Sequence, residues 1–190
     1  FGVISVGSGN AFGKSIGIPE SVGAQAKRYL GGKTQKVDLI EYGGQKALFA
    51  NMGLVGYILN RTEEESRRSN RGLYSYAGPI IEGLGGLTLP EGFSGFRKFG
   101  LEVSIDGEST FDFRGVSNLS LTKIPYFGFV FQFIPGAVLD DSKTHCLVAP
   151  EGLSGIVLAA GQAKLSNRGN RVGPYFSAEK VDVRVNGNNG

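Results

Sequence analysis

The sequence predicts a mainly β, α+β fold, in which a short α/β segment precedes an antiparallel β-sandwich. Glycine makes up 31 of the 190 residues without a fixed period, which favours many tight turns and therefore many short strands. Apolar and polar residues alternate in several stretches after residue 33, as they do in strands with one buried face. Residues 1–32 carry helical patterns instead. We therefore predict an α/β portion at 1–32 and a β-rich domain at 33–190.

The α/β portion opens with short apolar residues that run into a glycine-rich turn, made of Gly7, Ser8, Gly9 and Asn10. A short helical pattern follows over 11–16. Glycines at a strand-to-helix junction let the backbone approach a ligand closely. The N–H groups of a first helical turn favour an anion at the same place. The segment predicts either a phosphate-facing loop or a tight turn in which Ser8 or Asn10 caps the helix.

A second helix is predicted to start at Pro19, a residue favoured in the first helical turn, and to end at Gly31-Gly32. Its apolar residues recur at helical spacing on one face, which comprises Val22, Ala26, Tyr29 and Leu30.

The β-rich domain is predicted from short alternating stretches separated by turn residues. The predicted strands are, in chain order, 37–42, 47–51, a strand or strand end at 51–57, 101–105, a segment with Phe111 and Phe113, a strand through 146–148, and 181–185. Gly43-Gly44 and Gly107 supply turns between them. Phenylalanine also occupies every second position at 127, 129, 131 and 133, which predicts a row of rings on one side of a strand. That row suits a sandwich core or a wall for an acyl chain.

Further helices are predicted within the β-rich domain. Residues 61–71 are charged in both signs, which predicts a solvated helix or loop. The alternative is a basic face that contacts anionic lipid, made by Arg67, Arg68 and Arg71. Residues 72–84 have apolar side chains at roughly helical spacing, and Pro79 is expected to start or kink that helix. A last helix is predicted after Pro150.

Composition excludes several classes of protein. Cys146 is the only cysteine, so no intrachain disulfide and no cysteine-based metal cluster can form, and a reducing compartment fits. His145 is the only histidine and has no evident serine or carboxylate partner, which disfavours catalysis by a Ser-His or Cys-His pair. The net charge of +3 suits an anionic membrane surface or a nucleotide and is weak support for nucleic-acid binding. No apolar run is long enough to span a bilayer.

Two adjacent carboxylates, Asp140 and Asp141, lie in a predicted turn. Hard cations such as Mg²⁺ prefer carboxylate, carbonyl and water oxygens, which one turn can supply together. The turn therefore predicts either a cation site or a polar connection between strands.

Several of these stretches occur together in the diacylglycerol kinase and sphingosine kinase superfamily of lipid kinases. The chain resembles the C-terminal portion of the soluble bacterial and archaeal members of this superfamily. The segments that carry the resemblance are 3–11 ("P-x-G-T/S-G-N-D/A", here VISVGSGNA), followed by Gly17-Ile18-Pro19, 37–40 ("iDlg", here VDLI), 49–56 ("F-x-N-x-x-G-x-G", here FANMGLVG), 71–76 ("G-x-L-x-Y", here RGLYSY) and 134–141 ("P-x-A-x-x-D-D-G", here IPGAVLDD). They cover most of the chain in one consistent order.

The resemblance implies ATP-dependent phosphoryl transfer to a lipid hydroxyl, of the diacylglycerol or sphingoid type. It assigns Gly7, Ser8, Gly9 and Asn10 to the nucleotide side of a cleft and the β-rich domain to the lipid. It also implies a structural Mg²⁺ bound by Asp141 and by the carbonyls of Val138 and Lys143. Asp38 is linked to that ion through water, and Asp140 is a further candidate ligand.

The chain departs from the family in three places. The nucleotide motif "G-G-D-G-T" is missing, so the chain is expected to be a fragment, and the catalytic "D-G-E" is expected beyond Gly190. Asp106-Gly107-Glu108 has the same letters but the wrong place in the order, so no catalytic role is assigned to it. Ser142 replaces the glycine after the aspartate pair, and serine resists a positive φ.

The expected cofactors are ATP and Mg²⁺, and the expected partners are a lipid, a transient membrane surface and no nucleic acid, with a homodimer left open. The expected location is the cytoplasm, peripheral to the membrane, in phospholipid biosynthesis. The alternatives are an NAD kinase-like enzyme and a non-catalytic, lipid-binding or regulatory β-sandwich.

Overall fold

The computed structural model describes residues 2–5, 10–32, 34–68, 76–88, 96–127, 131–132, 134, 136–149 and 173–186. The helices within these ranges are α1 (Ala11–Ser15), α2 (Val22–Leu30), α3 (Leu54–Arg68) and α4 (Ala77–Thr88). The strands are β1 (Ile40–Tyr42), β2 (Gln45–Ala47), β3 (Phe49–Gly53), β4 (Phe99–Ile105), β5 (Ser109–Val116), β6 (Asn118–Thr122), β7 (Tyr126–Phe127), β8 (Phe131–Gln132), β9 (Thr144–Ala149), β10 (Tyr175–Ala178) and β11 (Val181–Asn186).

Two antiparallel sheets form the body of the described structure. One has the strand order β10-β9-β6-β3 and the other has the order β11-β4-β5. Their apolar side chains share one fully buried cluster, which contains Leu101, Val103, Val116, Leu119, Cys146 and Val148. Burial of such a cluster between two sheets is the main favourable term in the folding of a sandwich. The predicted mainly β, α+β fold is confirmed.

The turns predicted at Gly43-Gly44 and at Gly107 each join two antiparallel strands. The predicted strand 47–51 is not the partner of the first one, however, because it lies mostly in β3, which pairs with β6. Strands β1 and β2 pair around Gly43 and Gly44, whose φ angles are 56° and 77°. Strands β4 and β5 pair around Asp106 and Gly107, whose φ angles are 51° and 74°. Two successive residues with positive φ match the right-handed twist of the flanking strands, and glycine and aspartate tolerate that conformation.

Strand β9 is buried on both faces. Cys146 and Val148 point into the sandwich core. On the opposite face, Leu147 and Ala149 pack with Ile134 and Ala137 in a second buried cluster. The segment that precedes β9 is therefore held against the outer face of this sheet.

The strand predicted over 51–57 ends earlier than expected, because β3 stops at Gly53 and α3 begins at the next residue. Gly53 has a φ of 98°, and a Cβ there would lie 2.5 Å from the Ser117 carbonyl oxygen, so only glycine fits. The Leu54 N–H donates to that carbonyl at 2.8 Å. The Val55 N–H donates to Asn118 Oδ1 at 2.9 Å. Acceptors from the first residue of β6 and from the residue before it thus cap the helix.

Helix α2 ends where the sequence predicts, before Gly31-Gly32, but it starts later than predicted and exposes its predicted apolar face. Val22, Tyr29 and Leu30 are exposed, and the buried member of the helix is Gln25, at 1% exposure. The helix begins after Ser21 rather than at Pro19, because the Ser21 hydroxyl accepts from the Ala24 N–H.

The phenylalanine row does not lie on one strand. Strands β7 and β8 form a hairpin in which the backbone of Phe127 is paired with that of Phe131, so the chain reverses between them. Phe129 and Phe133 lie outside the described residues.

The other predicted helices are present in part. Helix α3 covers most of 61–71, and α4 covers most of 72–84 with Pro79 in its first turn. The helix predicted after Pro150, Arg71, and the side chains of Arg67 and Arg68 lie outside the described residues. Among the described helices, none combines the length and apolar character needed to cross a bilayer.

Candidate functional site

The candidate site lies where β6 ends and β9 begins. These strands are antiparallel, and Thr122 of β6 is paired with His145 of β9. Lys123 therefore leaves β6 beside the turn 137–143 that leads into β9. The Asp38 N–H donates to the Leu139 carbonyl at 2.7 Å, which brings a segment about 100 residues earlier to the same turn. The pairing register thus brings Asp38, Lys123 and Asp141 together.

Lys123 occupies the centre of this site. Its side chain is only 2% exposed, and its Nζ atom lies 2.8 Å from Asp141 Oδ1 and 3.7 Å from Asp38 Oδ2. The same ammonium donates to the backbone carbonyl of Lys143. A buried ammonium requires such partners, because it has lost its hydration. We call this group of Asp38, Lys123, Asp141 and the Lys143 carbonyl the lysine cluster.

Asp141 receives hydrogen bonds at both carboxylate oxygens. Lys123 and the Lys143 N–H donate to Oδ1 at 2.8 and 3.0 Å, and His145 Nε2 lies 2.9 Å from Oδ2. Partial burial by itself raises the pKa of Asp141. The bonds from Lys123 and from the Lys143 backbone outweigh it, so the pKa falls from 3.8 to about 2. Asp141 is therefore ionised throughout the physiological range.

Asp38 clamps the same turn from outside. Its Oδ2 accepts the Ser142 N–H at 2.8 Å, and this bond lowers the pKa of Asp38, assisted by the charges of Lys36 and Lys123. Ser142 has a φ of 59°, so serine takes the positive φ that the sequence was expected to resist. The bond to Asp38 is one of the contacts that hold the residue in this strained conformation.

His145 joins the cluster to β10. Its ring is buried, its Nδ1 lies 2.5 Å from the Tyr175 hydroxyl, and burial lowers its pKa, so it is neutral at pH 7. A neutral ring that donates from Nε2 to Asp141 must accept the Tyr175 proton at Nδ1, which satisfies both partners. The Val138 N–H also points at Nε2, at 3.2 Å, and only the other tautomer could accept it. His145 therefore has carboxylate and hydroxyl partners that the sequence did not reveal.

The predicted metal ligands are only partly brought together. Asp38, Asp141 and the Lys143 carbonyl converge on the Lys123 ammonium. At Val138, whose carbonyl was the predicted ligand, the N–H points at His145 Nε2 at 3.2 Å. Asp140 is exposed and takes no part in the cluster. The described residues contain no group of three histidine, cysteine or acidic side chains that could hold a metal ion.

The donor set at this point does not fit a divalent cation. Two carboxylates and a carbonyl are suitable ligands for Mg²⁺, but all three already contact the Lys123 ammonium. Sequence reasoning missed Lys123 and Tyr175. The available signal was a single lysine within an otherwise uncharged stretch, Leu121-Thr122-Lys123-Ile124-Pro125.

The second candidate region is the glycine-rich turn, of which Asn10 is described and Gly7, Ser8 and Gly9 lie outside the described residues. Asn10 has a φ of 41° and precedes α1, with no side-chain hydrogen bond that caps the helix. The segment that enters the turn is fixed, because Gln25 accepts the Ser5 N–H at 2.9 Å and donates to the Ser5 carbonyl at 3.2 Å. Gly13 lets α1 approach closely, since a Cβ there would lie 1.9 Å from Ser5 Oγ.

Cys146 takes no part in either region. It is fully buried, and desolvation raises the pKa of its thiol to about 12. It therefore packs as a small apolar residue, as its position in the sequence suggested.

Comparison with solved structures supports the fold. No protein-family model and no curated protein sequence matches the chain. A solved structure from Bacillus anthracis str. Sterne, described as a "putative diacylglycerol kinase", matches 97% of the chain with a TM-score of 0.70 and 19% identity. Two further structures from the same strain each match 94% of it at 19% identity. One is described as a "putative diacylglycerol kinase", with a TM-score of 0.66, and the other as a diacylglycerol kinase, with a TM-score of 0.67.

The chain spans 56–58% of the length of these three structures. At this level of identity, the likeness establishes the fold. Over the part that it spans, the chain has the fold of the B. anthracis diacylglycerol kinase structures.

Proposed function

We propose that this chain is part of a diacylglycerol kinase-like lipid kinase, which transfers the γ-phosphoryl group of ATP to a lipid hydroxyl. The observation that carries the proposal is the shared fold over 97% of the chain with a structure bearing that name. The ordered series of motifs, from the glycine-rich turn to the aspartate pair, supports it independently, because a fold alone does not imply a function.

The glycine-rich turn is the proposed contact with ATP. Gly7, Ser8, Gly9 and Asn10 would present backbone N–H groups and the Asn10 side chain to phosphate oxygens, and Mg²⁺ would accompany the nucleotide and neutralise its charge. Phosphoryl transfer depends on positioning, so a phosphate-binding turn needs a rigid base. The two hydrogen bonds between Gln25 and Ser5 supply such a base.

The β-rich domain is the proposed holder of the lipid. Access to a lipid needs transient contact with a membrane, so we propose a protein peripheral to the cytoplasmic membrane face. Tyr42, the last residue of β1, is 87% exposed. An exposed aromatic ring with a polar hydroxyl suits the interface of a bilayer.

The proton acceptor is not assigned to the Asp106-Gly107-Glu108 turn. Asp106 Oδ1 accepts the Lys180 N–H at 2.7 Å, and the Asp106 N–H donates to the Lys180 carbonyl at 2.9 Å. The carboxylate and the backbone N–H of Asp106 therefore both join the β4–β5 turn to the residue that precedes β11. A carboxylate committed to this bridge is a structural element, and the base is expected elsewhere in the whole protein.

The test is a phosphoryl-transfer assay on the whole protein that contains this chain. Labelled ATP is offered with Mg²⁺ and with diacylglycerol, sphingosine or NAD as the acceptor. We expect label in a lipid. Label in NAD would favour the NAD kinase-like alternative, and lipid binding without transfer would favour a non-catalytic module. The 190-residue chain alone is expected to transfer nothing, because its sequence lacks the "G-G-D-G-T" motif.

A further inference from the structure

We propose that the ammonium of Lys123 is a built-in cation that replaces a divalent metal ion in the turn 137–143. The proposal does not depend on the proposed function. It states that the turn is organised by a side chain of the protein itself, so this site neither binds nor needs Mg²⁺.

The first argument is the set of partners. A structural cation in such a turn would be expected to gather carboxylates and main-chain carbonyls from segments that are distant in sequence. Lys123 Nζ does this with Asp141 Oδ1 at 2.8 Å, Asp38 Oδ2 at 3.7 Å and the carbonyl of Lys143. One ammonium therefore links three separate parts of the chain, as a metal ion would.

The second argument is burial. The Lys123 side chain is 2% exposed, whereas Asp141 and Asp38 are 25% and 18% exposed. The positive charge thus lies on the inner side of the two carboxylates, and solvent reaches the cluster from the carboxylate side. A buried lysine without such partners would carry a severe desolvation cost. The carboxylates are therefore required by the lysine. Asp38 Oδ1 also lies 3.5 Å from the exposed Lys36 ammonium, so two carboxylates face two ammonium groups and no unmatched negative charge is left for a further cation.

The third argument is electrostatic exclusion. A Mg²⁺ ion coordinated by Asp141 Oδ1 would lie less than about 5 Å from Nζ, given coordination distances of about 2.0–2.1 Å. Water screens poorly at a site this buried, so a divalent ion and the ammonium would repel each other strongly. Asp141 Oδ2 offers no alternative position, because it already faces His145 Nε2 at 2.9 Å.

The test compares thermal unfolding and Mn²⁺ binding in matched variants of the protein. Lys123→Met keeps the length of the side chain and removes its charge. Lys143→Met removes a charge from an exposed side chain of the same turn and leaves its backbone carbonyl in place. We expect Lys123→Met to lower the melting temperature by about 5–10 °C, because it leaves the partly buried carboxylates without their cationic partner. We expect Lys143→Met to change the melting temperature little.

Mn²⁺ titration followed by electron paramagnetic resonance provides the second measurement. We expect no Mn²⁺ bound at the cluster in the wild-type protein. In Lys123→Ala, which vacates the position, Mn²⁺ should bind and raise the melting temperature, and the added Asp141→Asn substitution should abolish both effects. The wild-type titration also tests the proposal if the Lys123 variants fail to fold.

Three results would overturn the inference. The first is a wild-type Mn²⁺ site that Asp141→Asn removes. The second is a melting temperature of Lys123→Met equal to that of Lys143→Met. The third is a folded Lys123→Ala variant that gains no Mn²⁺ site. That result would show that the carboxylate and carbonyl oxygens around the vacated position cannot bind a metal cation, so the ammonium would not be replacing one.

Discussion

Gln25 binds both backbone groups of Ser5, accepting the Ser5 N–H at 2.9 Å and donating to the Ser5 carbonyl at 3.2 Å. A side chain from helix α2 thus makes the two hydrogen bonds to the Ser5 backbone that a neighbouring strand would make in a sheet. Its Nε2 also lies 3.4 Å from the Glu20 carbonyl, so the buried amide has partners at both ends. The segment that leads to the glycine-rich turn is fixed by this one residue.

We expect Gln25→Ala to lower the free energy of unfolding by about 1–3 kcal/mol, because it leaves the Ser5 backbone groups without their partner. Urea unfolding followed by circular dichroism measures the loss. Gln35→Ala, at an exposed position, is the matched control and should change stability by less than about 0.5 kcal/mol. Equal effects of the two substitutions would show that the buried amide has no special role.

Asn10→Gly in the whole protein should lower kcat/KM for ATP by about 10- to 100-fold, the expected loss of one hydrogen bond to a charged phosphate. Glycine keeps the φ of 41° and removes only the side chain, whereas alanine would add backbone strain. Steady-state kinetics at saturating lipid measure the effect, and urea unfolding checks that stability is little changed. Wild-type kinetics in this variant would remove Asn10 from the proposed nucleotide site.

Ser142→Gly should raise the free energy of unfolding by up to about 1 kcal/mol, because glycine adopts a φ of 59° without the steric cost that a side chain carries. The gain is limited by the greater freedom of glycine in the unfolded chain. Ser142→Ala retains a Cβ and is the control, for which no gain is expected. Differential scanning calorimetry of both variants decides the point, and destabilisation by glycine would contradict the assigned strain.

Stability should fall in acid through Asp141. Its pKa is lowered from 3.8 to about 2 in the folded state, so the unfolded chain binds the proton more readily. The resulting stabilisation, about 2 kcal/mol, is complete above pH 3.8, declines as the pH falls, and is lost below about pH 2. Urea unfolding at a series of acidic pH values measures it. Asp141→Asn should show a flatter dependence in this window, and an unchanged slope would exclude Asp141 as the source.

Local sequence determined the hairpins and the class of fold. The turns at Gly43-Gly44 and Asp106-Gly107 are specified within a few residues, since positive φ angles select for glycine and aspartate, and alternation identifies the buried face of β4. The end of β3 at Gly53 was not predictable in this way. It depends on the approach of the Ser117 carbonyl, which lies 64 residues later in the chain.

The content of the candidate site was decided by tertiary structure. The sequence indicated Asp38 and Asp141 through a motif resemblance, but the motif contains neither Lys123 nor Tyr175. Lys123 meets Asp141 only because β6 and β9 pair in the register that places Thr122 opposite His145. Buried polar groups must find partners wherever the fold brings them, so the partners of a buried charge depend on strand order and register, which a single sequence does not show.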